Sequence, residues 1–233
     1  SFAAHGVEVH LVDGRDVLLP FLDAEVSKAL AEAMAANGVR FHWNERVVAC
    51  DASRPGDIFL TLSSGATMAC DGLLVCAGRK SNTDELDLAA AGIAPGTRGL
   101  VPVNAHYQSE VPHIYAAGDV IGSPALAATG IEQARVAAAH AFESTFKSGL
   151  ATFLPSGIYT IPEASMAGET EASLNRQGVD YIAGRARYAD LPRGEIIGDR
   201  TGFLKLLFRR EDMRLLGVHV VGGRGGRRVD IHH

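Results

Sequence analysis

Apolar runs and one amphipathic stretch alternate at the start of the chain. Gly6 is a typical helix stop, and the apolar run from Val7 to Val12 predicts a strand that ends at Asp13. Asp23 is placed to cap a helix over residues 24 to 36. The apolar positions of this helix recur on one face: Val26, Leu30 and Ala33. A helix end, a strand and a further helix in this order predict a parallel α/β unit.

The segments that follow are rich in strand formers. Residues 39 to 51 predict one strand, and residues 58 to 70 predict a hairpin that turns at Ser63-Ser64-Gly65. Residues 72 to 77 and 114 to 117 are mostly apolar, as in strands buried on both faces. Because a glycine follows each run, we expect Leu74 to Ala77 and Ile114 to Ala117 to be buried strands of two different sheets.

A helix is expected after the second of these strands. Ser123 can cap it, with Pro124 at its first position. Small or apolar residues would then carry free backbone N–H groups at the helix start: Leu126, Ala127 and Ala128. Farther along, one face of the helix would be apolar: Ile131, Ala134, Ala138 and Phe142.

The chain changes character at about Phe153 and from there predicts an α+β layer. Thr170 can cap a short helix that stops at Gly178. Strand-like runs follow at residues 181–183, 203–208 and 215–221. A charged turn at residues 209–212 joins the last two. A small sheet domain without chemistry of its own is the interpretation of this part.

Composition narrows the classes of function. The chain has 233 residues, of which 47% are hydrophobic, enough for one large domain or two small ones. Its net charge of -5 and the lack of a basic stripe give no reason to expect nucleic acid. No apolar run approaches the roughly 18 residues of a membrane span, and no secretory signal is visible. We therefore expect a cytoplasmic protein with neither nucleic-acid nor membrane partners.

The spacing of the cysteines and histidines indicates neither a metal site nor a redox disulfide. Cys50, Cys70 and Cys76 lack the spacing of a metal site or a local redox disulfide, and we interpret them as small buried hydrophobes. His219 lies on an apolar strand and is interpreted as structural rather than catalytic. Three further histidines lack partners at metal spacing: His5, His10 and His42. No metal site is predicted.

Gly118 and Asp119 form the first candidate site. A glycine lets the backbone approach a ligand closely, and the aspartate after it can accept hydrogen bonds from hydroxyl groups at the carboxyl end of a strand. The expected helix start lies within ten residues, and its N–H groups favour negative charge. Together these features suit a ligand with a hydroxylated linker and an electron-poor ring, although a turn aspartate without a ligand is the alternative.

Two segments around this site carry a family resemblance. Residues 103–109 and 112–119 together resemble the second flavin-binding motif of the pyridine nucleotide-disulfide oxidoreductase family, T-x-x-x-x-h-Y-A-x-G-D, with Ser109 near the usual Thr. Residues 78–83, Gly-Arg-Lys-Ser-Asn-Thr, resemble the G-R-x-P-N-T junction of the same family, with Ser81 where most members have Pro.

The resemblance continues toward the C-terminus. Residues 156–163 and 168–171 resemble the opening of the family's dimerisation domain. It implies an α/β fold with partial Rossmann-like NAD(P)- and FAD-binding lobes, followed by a partial α+β dimerisation domain. The implied domains are an NAD(P)-binding domain that lacks its first βα unit, the C-terminal part of an FAD-binding domain, and an interface domain: residues 1–80, 81–152 and 153–233.

The ends of the chain suggest a longer protein. The first strand would belong to a dinucleotide-binding unit whose G-x-G-x-x-G fingerprint is expected about twenty residues before it. After Gly222 the resemblance fails, because the chain becomes Gly- and Arg-rich where the family has an Ala/Glu-rich interface helix. We therefore expect a fragment that begins inside a nucleotide-binding domain, with a truncated or divergent end.

The resemblance implies where FAD would bind. The Asp119 carboxylate would bind the ribityl chain, beside Gly118. The helix start would lie near the pyrimidine edge of the flavin, at Leu126, Ala127 and Ala128. A helix N-terminus there would favour the negative charge of the reduced flavin.

NAD(P) would bind near the end of the first strand. Asp13 is placed to bind the ribose hydroxyls of NAD, and Arg15 could offset the 2'-phosphate of NADP, so both nucleotides are expected. Val47 is a weaker candidate for an adenine contact, and Gly78 lies at the domain junction. A solvated turn is the alternative for Asp13 and Arg15.

The departure at Ser81 is shared with the transhydrogenase branch of the family. The implied reaction is hydride transfer from NADPH to NAD+ through FAD, with nicotinamide nucleotides as partners and a homodimer or higher homo-oligomer as the assembly. Two alternatives stay open: a dihydrolipoamide dehydrogenase that oxidises a dithiol with NAD+, and a non-catalytic nucleotide-binding or dimerisation fragment. No catalytic residue is assigned.

Overall fold

The computed structural model of the chain describes residues 1–54, 56–146, 149–150, 154–198 and 200–223. The chain divides into two compact units. The first comprises residues 1–74 together with the segment from residue 155 onward, and the second comprises residues 75–154. Each unit is described by itself.

A parallel strand pair opens the first unit. The short 3-10 helix Phe2–His5 ends at Gly6, whose φ of 81° is left-handed. Strand β1 (Val9–Asp13) pairs in parallel with β2 (Val39–Trp43). Helix α1 (Ala24–Ala36) connects them, and the Asp23 carboxylate accepts from the backbone N–H of Glu25 at its start. The predicted α/β unit, its cap and its buried face are confirmed, since α1 buries Val26, Leu30 and Ala33.

A three-stranded antiparallel sheet follows, formed by β3 (Val47–Arg54), β4 (Asp57–Leu62) and β5 (Thr67–Cys70). The predicted hairpin is confirmed as β4 and β5. The single strand predicted over residues 39–51 is wrong, because the chain breaks at Asn44, where φ is 58°. A left-handed residue cannot continue a strand, so β2 and β3 belong to different sheets.

A five-stranded antiparallel sheet completes the first unit. Its strands are β6 (Ser156–Ile158), β7 (Glu163–Gly168), β8 (Tyr181–Arg187), β9 (Gly202–Arg209) and β10 (Leu215–Gly222), in the order β6-β7-β10-β9-β8. Helix α3 (Glu171–Gln177) has a capping box between Thr170 and Ser173 and ends at Gly178. The predicted α+β layer is confirmed, whereas β7 and α4 (Pro192–Ile197) were not predicted.

The core of the first unit joins its N-terminal and C-terminal segments. One hydrophobic cluster contains Leu22, just before α1, Val26 and Leu30 of α1, Ala164 of β7 and Val221 of β10. Each of these side chains is buried. Apolar burial therefore holds α1 against the five-stranded sheet.

The second unit contains one long helix, α2 (Ala127–Ala141), and two short 3-10 turns at Thr97–Gly99 and Gly118–Ile121. The two predicted buried strands are wrong. Ile114 to Ala117 contributes only an isolated bridge between Gln108 and Tyr115, and the stretch from Leu74 to Ala77 is not a strand. Leu74 is 74% exposed. Residues 114–117 bond to Tyr107 and Ser109 around this bridge, but neither run joins a sheet of the described residues.

Helix α2 differs from its prediction in its start and in its buried face. Leu126 is the N-cap residue rather than Ser123. Leu126 is extended, and the first helical hydrogen bond runs from the N–H of Gly130 to its carbonyl. The predicted apolar face is exposed, namely Ile131, Ala134, Ala138 and Phe142. The buried face is Thr129, Gln133, Val136, Ala137 and Ala139.

Within the described ranges, no helix has the length and apolar character needed to cross a membrane. The expectation that all three cysteines are buried is wrong. Cys50 and Cys76 are exposed and Cys70 is partly exposed. Cys50 lies on β3, every residue of which is exposed, so its position on a strand does not place it in a core.

Candidate functional site

The first candidate site is the turn that follows β1. Arg15 donates from Nε to Asp13 Oδ1 at 2.9 Å and from Nη2 to Asp13 Oδ2 at 2.8 Å. The backbone N–H of Arg15 also donates to Oδ1, at 3.0 Å. These bonds lower the pKa of Asp13, with the Arg15 side chain as the largest cause, so the carboxylate stays ionised at neutral pH.

The end of β2 supports this turn. The backbone N–H of Asn44 donates to the Arg15 carbonyl and that of Glu45 donates to the Asp13 carbonyl, each at 3.1 Å. A Cβ atom on Gly14 would lie 3.0 Å from Nε of Arg46. The carboxyl ends of parallel strands are where open α/β sheets bind ligands. A carboxylate and two guanidinium groups therefore lie together at the carboxyl ends of this parallel pair.

The other two nucleotide candidates are placed elsewhere. Val47 begins β3, pairs with Leu62 and is exposed, as the rest of this strand is. Gly78 belongs to the second unit and has a φ of 128°. The structure thus brings Asp13 and Arg15 together and leaves the adenine contact of Val47 a prediction.

The second candidate site lies in the second unit, where the turn Gly118–Ile121 packs on α2. Gly118 has a φ of 80° and donates its N–H to Gln133 Oε1 at 2.7 Å. A Cβ atom on Gly130 would lie only 3.1 Å from the Gly118 Cα atom. The glycine pair allows this approach, so Asp119 is held beside the first turn of the helix.

Asp119 is accessible but already has a partner. Its side chain is 51% exposed, and its Oδ2 atom lies 2.5 Å from Nη2 of Arg79. Arg79 belongs to the junction segment that carries the family resemblance. A ligand hydroxyl group could share this carboxylate or replace the guanidinium, because both ion-pair partners face solvent.

The helix start matches the prediction in part. Ala127 and Ala128 are exposed residues in the first turn of α2, where N–H groups lack helical acceptors. The N–H of Leu126 is not free, since it donates to the Pro124 carbonyl at 3.1 Å. This part of the prediction is wrong because the helix begins later than Ser123 suggested. An accessible carboxylate beside an exposed helix N-terminus suits a polyhydroxylated and anionic ligand.

Sequence reasoning missed Gln133, Arg79 and Gly130 of this site. A glutamine among alanines on the small-residue face of a helix is a signal for Gln133, because buried polar groups need partners. Gly130 at the start of the same helix is a signal for a close approach. Arg79 carries no signal for Asp119, which is forty positions away in the chain.

A buried ion cluster lies between α1, α3 and the five-stranded sheet. Lys205 is 0% exposed and lies 2.7 Å from Asp23 and 3.0 Å from Glu171. Arg185 binds Glu25 at 2.5 Å at its edge. Burial alone would raise the pKa of Asp23, but the hydrogen bond and charge of Lys205 outweigh it and keep that pKa below its ordinary value.

His219 borders this cluster and is fully buried. Its Nε2 atom lies 2.8 Å from the Glu169 carbonyl, and it pairs with Lys205 across β10 and β9. Nδ1 is buried without a hydrogen-bond partner in the described chain. Burial lowers the pKa of His219. The position fits the structural interpretation.

Two of the histidines without sequence partners meet in space. His10 Nδ1 and His42 Nε2 lie 2.9 Å apart on the parallel strand pair. Sequence spacing could not reveal this, since the residues lie on two strands separated by α1. Among the residues that the structure describes, no group of three or more His, Cys, Asp or Glu side chains is arranged to hold a metal ion.

The chain combines a parallel strand–helix–strand unit with a five-stranded antiparallel sheet. Parallel units of this kind occur in dinucleotide-binding proteins. The family model for pyridine nucleotide-disulphide oxidoreductases matches residues 1–141, and the model for their dimerisation domain matches residues 154–232. The chain therefore belongs to the pyridine nucleotide-disulphide oxidoreductase family. The fold class and the family resemblance are confirmed.

Among curated proteins, the chain is similar to soluble pyridine nucleotide transhydrogenases. A soluble pyridine nucleotide transhydrogenase of Mycobacterium tuberculosis is 46% identical over 95% of this chain and 47% of its own length. One from Hahella chejuensis is 43% identical over 99% of this chain and 49% of its own length. The chain thus spans about half the length of the curated relatives it matches.

Solved structures show the same fold. LpdA from Mycobacterium tuberculosis superposes with a TM-score of 0.85 at 27% identity, covering 95% of this chain and 48% of that protein. The Cu(II) complex of the HOCl-induced flavoprotein disulfide reductase RclA from Escherichia coli superposes with a TM-score of 0.87 at 24% identity, covering 97% of this chain and 51% of that protein. The second likeness concerns the fold alone.

Proposed function

We propose that this chain is part of an FAD-dependent NAD(P)+ transhydrogenase that moves hydride from NADPH to NAD+. The observation that carries the proposal is the likeness to soluble pyridine nucleotide transhydrogenases, at 41–46% identity over nearly the whole chain. The Asp13–Arg15 pair supports it, because an acid and a base at one ribose site suit an enzyme that uses both nucleotides.

The second unit fits FAD by the chemistry of its groups. Asp119 offers an ionisable acceptor for the ribityl hydroxyls, and the open position at Gly118 lets the chain of the cofactor come close. Ala127 and Ala128 present N–H groups of α2 without bulky side chains. When bound, FAD supplies the hydride chemistry between the two nicotinamide nucleotides.

The residues of this chain would hold and select the ligands. Arg79 would keep Asp119 in place until a ligand arrives, since the ion pair orients the carboxylate. Asp13 would bind the ribose of NAD(H) and Arg15 the phosphate of NADP(H). We assign residues 1–80, 81–152 and 153–233 to nucleotide, flavin and interface domains, with a cytoplasmic homodimer or higher homo-oligomer as the assembly.

The test supplies the part of the relatives that this chain does not cover. The N-terminal half of the Mycobacterium tuberculosis relative, fused ahead of Ser1, is purified and assayed for bound FAD. Reduction of an absorbance-shifted NAD+ analogue by NADPH is then followed. Flavin-dependent turnover is the expected result.

Two outcomes would contradict this proposal. Oxidation of a dithiol with NAD+, without NADPH-dependent turnover, would instead support the dihydrolipoamide dehydrogenase alternative. A fusion that folds and dimerises but neither binds FAD nor turns over would support a non-catalytic fragment. The relative's own full-length protein, assayed in parallel, controls for the assay.

A further inference from the structure

His10 and His42 face each other edge to edge on the parallel strand pair. Their ring centroids are 5.1 Å apart and the ring planes differ by 18°, while His10 Nδ1 and His42 Nε2 are 2.9 Å apart. Nearly coplanar rings at this distance direct both facing nitrogens into the same small region. His10 is exposed and His42 is partly exposed, so a small cation can reach this region.

A carboxylate fixes the protonation of His10. Its other nitrogen, Nε2, lies 3.2 Å from Oε1 of Glu8, and a carboxylate can only accept. The proton of His10 is therefore placed on Nε2, which leaves Nδ1 with a lone pair toward His42. Arg40 holds the same Glu8 oxygen at 2.7 Å. Histidines that bind metals commonly donate their second N–H to a carboxylate in this way.

We propose that His10 and His42 form a binding site for a divalent late transition-metal ion, with Cu²⁺ preferred over Zn²⁺. Metal–imidazole bonds are about 2.0–2.1 Å long, so two nitrogens on one ion are about 2.9 Å apart in a square plane and about 3.3 Å apart in a tetrahedron. The present 2.9 Å is the length of the hydrogen bond that joins the two rings, and the nitrogens are close enough for one ion to reach both after the rings turn. Among divalent first-row ions, Cu²⁺ binds such nitrogen sites most tightly.

The metal would replace the hydrogen bond between the two rings. Both rings would turn by roughly 45° so that their lone pairs point at the ion, and His42 would move its proton to Nδ1. Since the described residues offer no third ligand of the usual kinds, water would complete the coordination. Such a site binds through two imidazoles and is open to solvent.

A second histidine pair provides a matched control. His106 and His140 stack face to face, with centroids 4.3 Å apart and planes that differ by 11°. Their lone pairs lie in parallel planes and do not converge. His140 Nδ1 also lies 2.8 Å from the Tyr115 hydroxyl group. This pair has the same composition without the same geometry.

The test measures Cu²⁺ binding to the purified chain by calorimetry and by electron paramagnetic resonance. All proteins carry H232A and H233A, so that the terminal imidazoles do not contribute. We expect one ion whose spectrum shows nitrogen ligands. H10A and H42A should each abolish this spectrum, and E8Q should lower the affinity by roughly tenfold. H106A/H140A should bind like the parent.

Two outcomes would overturn the proposal. One is unchanged Cu²⁺ affinity in both H10A and H42A, with circular dichroism showing that they are folded. The other is an equal loss of affinity in H106A/H140A. Competition supplies a separate check, because Zn²⁺ at equal concentration should not displace Cu²⁺, and ready displacement would contradict the preference for Cu²⁺.

Discussion

Arg15 binds both carboxylate oxygens of Asp13, at 2.9 and 2.8 Å, in the turn after β1. The two residues to which the sequence assigns opposite nucleotide preferences are therefore one ion pair. A nucleotide that approaches this turn meets an ionised carboxylate and a guanidinium that already satisfy each other. Changing either residue releases the other, so their effects on nucleotide choice should be coupled.

Asp13→Asn should shift the fused enzyme described above toward NADPH, and Arg15→Ala should shift it toward NAD+. Only NAD+ offers both ribose hydroxyls to Asp13, whereas only NADPH offers a phosphate to Arg15. In each variant the ratio of kcat/KM for NAD+ to kcat/KM for NADPH should change by roughly tenfold to a hundredfold. Steady-state kinetics with both nucleotides measures it.

The double variant separates coupling from independent roles. If the ion pair acts as a unit, the shift in nucleotide specificity of the double variant, expressed as a free energy, should differ from the sum of the shifts of the two single variants. Arg40→Ala is a control. Arg40 lies on β2 and pairs with Glu8, so this variant should leave the ratio of kcat/KM for the two nucleotides unchanged. Equal losses for both nucleotides in either single variant would make Asp13 and Arg15 structural turn residues.

Asp119→Asn should weaken FAD retention in the same fusion by roughly tenfold to a hundredfold, because the ribityl hydroxyls lose an ionised acceptor. Bound flavin per chain after gel filtration measures it. Asp84→Asn is the matched control, since Asp84 is an exposed carboxylate of the same unit that pairs with Lys80 at 2.5 Å. Full flavin occupancy in the Asp119 variant, or equal loss in the control, would remove Asp119 from the site.

Local signals in the sequence predicted the parts of the fold that are decided within a few residues. Asp23 caps α1, and Thr170 and Gly178 bound α3, as predicted. A cap needs only its own side chain and the first N–H groups of the helix. The turn after β1 was likewise predictable, because Asp13 and Arg15 are two residues apart.

Features decided by distant partners were not predictable. The runs at residues 74–77 and 114–117 have strand-like composition but no neighbouring strand in the described chain. The buried face of α2 includes Gln133, which accepts from the N–H of Gly118, and it excludes the large apolar residues Ile131 and Phe142. Arg79 and Asp119, like His10 and His42, meet only after folding.

Lys205→Met should lower the free energy of unfolding of the chain by about 3–5 kcal/mol. The substitution keeps the apolar stem but leaves the buried Asp23 without its cation, while Glu171 keeps Arg185 at 3.3 Å. Urea unfolding measures it. Lys28→Met is the control, because Lys28 is an exposed partner of Glu32 at 3.9 Å and should change stability by less than about 0.5 kcal/mol.

A double variant tests whether the loss of stability in Lys205→Met comes from the buried carboxylate that is left unpaired. Asp23→Asn keeps an oxygen that can cap α1 and removes one buried negative charge. Asp23→Asn combined with Lys205→Met should therefore lose less stability than the sum of the two single losses. Additive losses would show that the two charges are not coupled, and a Lys205→Met protein as stable as the parent would show that the pair contributes no net stability.

His219 should make the stability of the chain depend on pH. Burial lowers its pKa below the ordinary 6.5. The hydrogen bond to the Glu169 carbonyl and the charges of Asp23 and Glu171 favour protonation, but burial, helped by the charge of Lys205 on the facing strand, outweighs them. The folded state thus prefers neutral imidazole. Below pH 6.5 the unfolded chain binds a proton that the folded chain does not, so stability present at pH 7.5 should fall as the pH drops.

His219→Gln isolates this contribution, since glutamine can still donate to the Glu169 carbonyl but does not titrate in this range. Urea unfolding from about pH 7.5 to 5.5 should show a steeper loss of stability for the parent than for the variant. The carboxylates of Asp23, Glu25, Glu169 and Glu171 are common to both proteins, so their titration cancels in the difference. Parallel profiles would contradict the assignment, as would an imidazole NMR titration of His219 with a midpoint at or above 6.5.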